Sequence, residues 1–169
     1  MDEINNLSGG AAIKKLKELS KDINICLFCT DIQNGKGAIA RPMATQQTGE
    51  DDYLWFLSDK NSHKNEEIAR DPNVQLFYSD TNKSSFLTFT GIATIVQDQH
   101  KIDEIWSPLH KTWFQGGKED PSISLIRVEP IEGAYWDSKG NRAINFVKML
   151  ASVVSGKDLV DGEEGQLKF

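Results

Sequence analysis

Cysteine, histidine and proline are scarce in this 169-residue chain, which holds two, three and five of them. Two cysteines cannot staple a small fold, so the fold must rest on a buried apolar core. Cys26 and Cys29 do have the C-x-x-C spacing of redox and zinc sites. They lie, however, in Ile23-Asn24-Ile25-Cys26-Leu27-Phe28-Cys29, which reads as a strand, where residues three apart face opposite sides. No second ligand pair is spaced for zinc, so metal is not expected; both thiols read as structural, in keeping with a reducing, cytoplasmic compartment. The histidines His63, His100 and His110 are scattered, and no spacing suggests a Ser-His-Asp or Cys-His nucleophile; the catalytic residues stay unknown.

Long apolar runs are missing too. Nothing approaches the roughly 20 residues that span a bilayer, and the N-terminus Met1-Asp2-Glu3 lacks the basic start and apolar middle of a signal peptide. A net positive charge is also absent: 19 basic against 25 acidic residues leave −6, the wrong field for non-specific nucleic-acid binding. An acidic protein that holds an anion must concentrate its cations locally. Arg41, His63 and Lys64 are the candidates.

The residues that are present suffice for one domain, expected over residues 1–154, with 155–169 as a flexible tail rich in glycine and acids. The stretch Tyr53 to Lys64 organises it. Tyr53, Trp55 and Leu57 alternate with Leu54 and Phe56, as in a strand covered on both faces. Ser62 then opens a short helix that carries Glu66 and Glu67 in its first turns, Arg70 in its last, and Asp71-Pro72 as a stop. The strand therefore delivers Ser62, His63 and Lys64 to a helix N-terminus, where free amides, a hydroxyl and a cation favour phosphate. An ordinary N-cap with a solvated basic face is the alternative.

Along the chain, Ser8 caps a helix with Ala12, Ile13, Leu16 and Leu19 on one side. A strand to Thr30 turns at Asn34-Gly35 into a return strand, Ala38 to Gln46. There Arg41, Met43 and Thr45 share a face, and Ala40, Pro42 and Ala44 share the other. Pro42 has no amide hydrogen, which marks an edge or a bulge and leaves nearby backbone free for a ligand. Arg41 either serves that ligand or pairs with an acid. Strands at 74–78 and 86–96 come next, the second interrupted by Gly91, which signals a sharp bend. A helix from Gln99 to Trp106 leads to Trp113-Phe114, which either fills a core or meets a ligand. The last strand, Ser122 to Trp136, is expected to bulge at Pro130 and Gly133, and a helix is expected from Arg142 to about Val154. Six strands with short turns and flanking helices predict a mainly β, α+β fold built on a closed antiparallel barrel.

The order of Arg41-Pro42-Met43, an aromatic strand ending in Ser58, the Ser62-His63-Lys64 turn and Tyr135-Trp136 resembles the flavin-mononucleotide-binding split-barrel family related to pyridoxamine 5′-phosphate oxidase, in its general stress protein branch. The resemblance implies a six-stranded split barrel, FMN as cofactor and a homodimer with flavin at the subunit interface. It also implies site residues: Arg41, Ser62, His63 and Lys64 on the phosphate, Met43 and Ala44 offering backbone to the ring, Trp55, Phe56 and Leu57 as its slot, and Ser58 near the ribityl chain. Trp113 is implied near the flavin, and Trp136 as reaching it from the other subunit. The family's oxidases carry a substrate-binding lysine where this chain has Gln46, a histidine at Ile144 and an arginine at Phe146, so pyridoxamine 5′-phosphate is not the expected substrate. Three functions are compatible with these residues: an oxidoreductase fed by a nicotinamide cofactor, a non-catalytic flavin store or sensor, or a barrel for another ligand such as heme.

Overall fold

The computed structural model describes residues 3–46, 49, 51–138 and 162–169. Two short strands, β1 (Glu3–Ile4) and β2 (Leu7–Ser8), precede helix α1 (Gly9–Ile23). Strands β3 (Ile25–Thr30), β4 (Ile39–Ala44) and β5 (Leu54–Asp59) lead to helix α2 (His63–Arg70). The chain continues through β6 (Asn73–Asp80), β7 (Ser85–Val96), α3 (Gln99–Ile105) and two 3-10 turns, Pro108–Thr112 and Gly117–Glu119. It ends with β8 (Ile123–Asp137) and β9 (Glu163–Lys168). The helix expected over 142–154 lies outside the described residues.

Neighbouring strands run antiparallel in the order β4-β3-β6-β7-β8-β5, and a single bridge between Gln46 and Trp55 joins the two ends among the described residues. This is a six-stranded barrel split between β4 and β5. β8 serves two partners along one edge: Ile123 to Val128 pairs with β5, and Glu132 to Asp137 pairs with β9. Such a strand must bend. It does so at Ile131, where the register with β7 slips between Thr90 and Gly91. Gly91 is required there, because a Cβ would sit 2.6 Å from the Glu129 carbonyl oxygen.

The alternation read from the sequence explains the packing. Leu54 and Phe56 point into the main core with Phe28, Leu76, Leu87, Phe89 and Ile126, while Trp55 and Leu57 face a second core under α3 with Ile102, Ile105, Phe114 and Leu125. α1 closes one side of the main core through Ala12, Leu16 and Leu19. Cys26 is in that core, and burial pushes its thiol up to about 12, whereas Cys29 falls on the opposite face of β3.

The expectation of a flexible tail is wrong for its end. β9 pairs antiparallel with β8 and parallel with β1 and β2, with Leu167 only 1% exposed. Backbone pairing carries this strand, since Leu167 is the one apolar side chain it offers. A Cβ at Gly165 would lie 2.1 Å from the Asn5 carbonyl oxygen, so the N-terminal segment crosses where no side chain fits.

Candidate functional site at the split of the barrel

The split follows from hydrogen-bond alternation. The Thr45 amide donates to the Asn24 carbonyl (2.9 Å), so positions 45, 43, 41 and 39 bond to β3 and the backbone groups of Ala40, Pro42 and Ala44 turn away from it. On the other side Lys60 N–H donates to the Ser122 carbonyl (2.8 Å), which likewise turns the backbone of Trp55, Leu57 and Asp59 away from β8. Among the described residues only the Gln46 amide crosses the gap, to the Trp55 carbonyl (2.7 Å). Pro42 stands where an N–H would otherwise aim into the gap, and the Ala44 carbonyl accepts from the Gln46 side chain (3.0 Å). The Ala44 N–H and the backbone of Leu57 thus line a slot edged by two strands. Met43 offers no amide here, because its N–H belongs to the ladder with Cys26.

Helix α2 spans the same gap and is pinned on both sides by buried polar groups. Towards β5 and β8, the Ser58 hydroxyl donates to Asn65 Oδ1 (2.6 Å), Asn65 Nδ2 donates to Ser124 Oγ (2.9 Å), and Ser124 donates to the Ser58 carbonyl (3.1 Å). Towards β3 and β4, the Glu67 carboxylate accepts from the Thr30 hydroxyl (2.5 Å) and from Arg41 Nη2 (2.7 Å), while Arg41 Nη1 donates to Thr30 Oγ1 (3.3 Å). Because α2 is anchored this way, Lys64 Nζ lies 3.2 Å from Ser62 Oγ, close enough to Arg41 for the two cations to repel.

The electrostatics are finely balanced. Burial, then repulsion from Arg41, lowers the Lys64 pKa against the attraction of Asp59 and Glu67. Burial works to raise the Glu67 pKa, but the bonds from Thr30 and Arg41 outweigh it and hold the carboxyl below its ordinary range. The corner therefore carries two cations, Arg41 and Lys64, against two carboxylates, Asp59 and Glu67. It is less electropositive than the sequence implies, and both readings of Arg41 apply: it is at the site and it pairs with an acid.

Of the residues inferred from sequence, Arg41, Ser62, Lys64 and Ala44 converge on the split. Several others do not. His63 is solvent-exposed, its side chain 93% accessible and its Nδ1 3.4 Å from Glu66, since the first position of α2 points outward. Ser58 is buried in the Asn65 network and supports Ser62 instead of meeting a ligand. Phe56 is fully buried and stacks edge-on against Phe28 (5.1 Å), and Trp55 is buried with its N–H on Asp51 (3.0 Å) and Lys101 over its ring (5.0 Å). Neither ring is available as a wall of a slot; Leu57, half-buried beside them, is. Trp113 is 71% exposed just after the first 3-10 turn. Trp136 pairs with Phe86 on β7 and lies in the half of β8 that pairs with β9, beyond the half that pairs with β5 at the split.

Thr30, Asn65, Glu67 and Ser124 were not inferred from sequence. A signal existed for two of them: Asn65 sits one turn before buried Ile68 on the same helix face, and Thr30 follows Phe28 on the inward face of β3. A polar residue on a buried face needs a partner.

The comparisons with known proteins agree with this architecture. The profile of the family described as Pyridoxamine 5'-phosphate oxidase like matches residues 11–161. The chain belongs to the pyridoxamine 5′-phosphate oxidase like family. Within it, the chain is 30% identical over 102 residues to general stress protein 26 of Bacillus subtilis, covering 52% of this chain and 72% of that one. It is 26% identical over 122 residues to protein bli-3 of Neurospora crassa, covering 68% of this chain and only 57% of the longer relative. Among solved structures of the fold, a general stress protein 26 homologue from Jannaschia sp. CCS1 superposes with a TM-score of 0.78 at 22% identity, covering 92% and 97% of the two chains. The general stress FMN/FAD binding protein of Xanthomonas citri gives 0.64 at 22% identity, covering 77% and 91%. Both show the split-barrel fold of this pyridoxamine 5′-phosphate oxidase like chain. No helix among the described residues is long and apolar enough to cross a membrane.

Proposed function

We propose that the chain is an FMN-binding flavoprotein of the general stress protein type, active as a cytoplasmic homodimer with a flavin at each end of the subunit interface. The observation that carries this reading is the open seam between β4 and β5, with Arg41, Ser62 and Lys64 at one end. A mononucleotide flavin asks for that donor set: a phosphate seat of charge-assisted donors, and backbone groups for the polar edge of a ring. Arg41, Ser62 and Lys64 would hold the phosphate, the Ala44 N–H would face the ring edge, and Leu57 and Pro42 would wall the slot. The bound flavin would supply the redox chemistry, and the chain position and electrostatics.

The dimer is supported by the outer face of the sheet. Leu27 on β3 lies opposite Phe77 on β6, which lies opposite Thr88 on β7, which lies opposite Ala134 on β8. Ile25, Leu27, Phe77 and Trp136 are 56, 50, 42 and 41% exposed, a band of large apolar side chains continuous with the Pro42 side of the split. In the middle of it Thr88 Oγ1 is buried without a hydrogen-bond partner among the described residues. A second copy laid on this face would cover the band and bring its own Trp136 to the flavin.

A binding or sensing role without rapid turnover is the second reading. It is favoured by the proton-handling groups near the split: His63 is in solvent, and Glu67 is engaged by Arg41 and Thr30. The absorption spectrum of the purified protein tests the shared part: flavin bands on isolation or after FMN titration are expected, and no binding at micromolar FMN refutes it. Bleaching by NADPH and reoxidation by an acceptor selects the oxidoreductase, with NADPH as the nicotinamide donor. Pyridoxamine 5′-phosphate is not oxidised at an appreciable rate, given Gln46 in place of the lysine; robust formation of pyridoxal 5′-phosphate would overturn that.

A further inference from the structure

Arg41 and Lys64 come from different parts of the fold, one from β4 and the other from α2, and Glu67 is the group that ties Arg41 to that helix. Its carboxylate takes Arg41 Nη2 at 2.7 Å and the Thr30 hydroxyl at 2.5 Å, and its side chain is only 8% exposed. Arg41 remains 23% exposed, so one part of the guanidinium bonds inward while other N–H donors still face outward. An incoming phosphate would have to share Arg41 with a carboxylate already hydrogen-bonded to it. Together with Asp59, Glu67 brings the formal charge of the corner to zero.

We propose that Glu67 is an affinity-setting residue: a built-in anion that competes for Arg41 and limits how strongly the site prefers a phosphate-bearing flavin over one without phosphate. The proposal rests on the flavin reading above and adds to it the class of discrimination the site performs. A group already bonded to the ligand's partner weakens the ligand by the strength of the bond that must be shared or loosened. Water and bulk salt do not substitute for Glu67 here, because its side chain is almost entirely enclosed by Thr30, Arg41 and the body of α2. The consequence is a cofactor held loosely enough to exchange, with selectivity for phosphate set inside the barrel and not at its surface.

The test uses FMN and riboflavin, which share the ring and ribityl chain and differ in the phosphate. Fluorescence titrations of both are made on the full-length wild type, Glu67→Gln and Glu67→Met. Gln keeps an acceptor for Thr30 and Arg41 without the charge; Met keeps the volume without either, and guards against a folding failure peculiar to one variant. Expected are FMN affinities about tenfold tighter than wild type in Glu67→Gln, riboflavin affinities within about twofold of wild type, and a raised FMN-to-riboflavin ratio in Glu67→Met as well. A ratio unchanged or lowered in folded variants overturns the competition and leaves Glu67 a scaffold for Arg41. If the wild type itself binds FMN no better than riboflavin, the phosphate seat fails and not the role of Glu67 alone.

Discussion

Two lysines in this chain have opposite surroundings. Lys15 on α1 bonds two carboxylates, Asp137 at the end of β8 (2.9 Å) and Glu163 at the start of β9 (2.5 Å), and lies over the Tyr135 ring (5.3 Å). Burial acts to lower its pKa, but the two acids outweigh it and the ammonium is held well above the ordinary lysine range. Lys64 on α2 bonds a hydroxyl and is pushed below that range by burial and then by repulsion from Arg41. The first is a completed structural clasp that ties α1 to the strands where the chain ends. The second is a cation held in place by the fold with no carboxylate bonded to it among the described residues, as suits a ligand-binding cation before its ligand arrives. Burial disfavours the charge on both lysines, and the carboxylates bonded to Lys15 but not to Lys64 separate scaffold from site.

The sharpest way to break this contrast is to remove the site cations. Arg41→Ala with Lys64→Ala is expected to weaken FMN binding by about 3 kcal/mol or more, since charge-assisted hydrogen bonds are worth about 1.5–3 kcal/mol each. Titration of FMN against the double variant checks it, and an affinity equal to wild type would remove both residues from the site. Lys15→Met is the counterpart. It removes a cation bonded to both Asp137 and Glu163, whose side chains are only 16% and 12% exposed, and is expected to lower stability by about 2 kcal/mol, a fall in Tm of about 5 °C. FMN affinity should stay at the wild-type level. A Lys15 variant that lost flavin while keeping its Tm would put the two lysines in the same class.

How much of this contrast could be read from the sequence depends on the distance over which partners meet. Local pattern carried far: the alternation at Leu54 to Leu57 foretold a strand between two cores, Pro42 foretold an open edge, and the capping signals around Ser62 foretold where α2 begins. The direction of each side chain at that helix start did not follow, so His63 was grouped with Lys64 although the two diverge within one turn. Partner choice was invisible for a stronger reason. Arg41 meets Glu67 across 26 positions, Asn65 meets Ser124 across 59, and Lys15 meets Glu163 across 148, pairings that only the closed barrel creates. β9 was missed because five of its six residues are polar or glycine, and its order comes from backbone pairing that composition does not record.

The smallest expected effect is also the most telling, because its sign differs between the two lysines. A lysine whose pKa is lowered in the folded state is better tolerated neutral than charged, so at neutral pH the charged Lys64 works against folding. The unfolded chain binds the proton more readily, and stability therefore rises with pH from the lowered folded value of Lys64 towards the ordinary value near 10.4. Below the folded value the penalty is present in full; above the unfolded value it has gone. Lys64→Met should accordingly raise stability by about 0.5 kcal/mol at neutral pH, an advantage that shrinks as the solution is made alkaline, while it weakens FMN. Lys15→Met lowers stability under the same conditions. Thermal melts of both variants between neutral and alkaline pH decide the point: if Lys64→Met is destabilising without ligand, the fold needs that charge for itself, and Lys64 belongs with Lys15 as part of the scaffold.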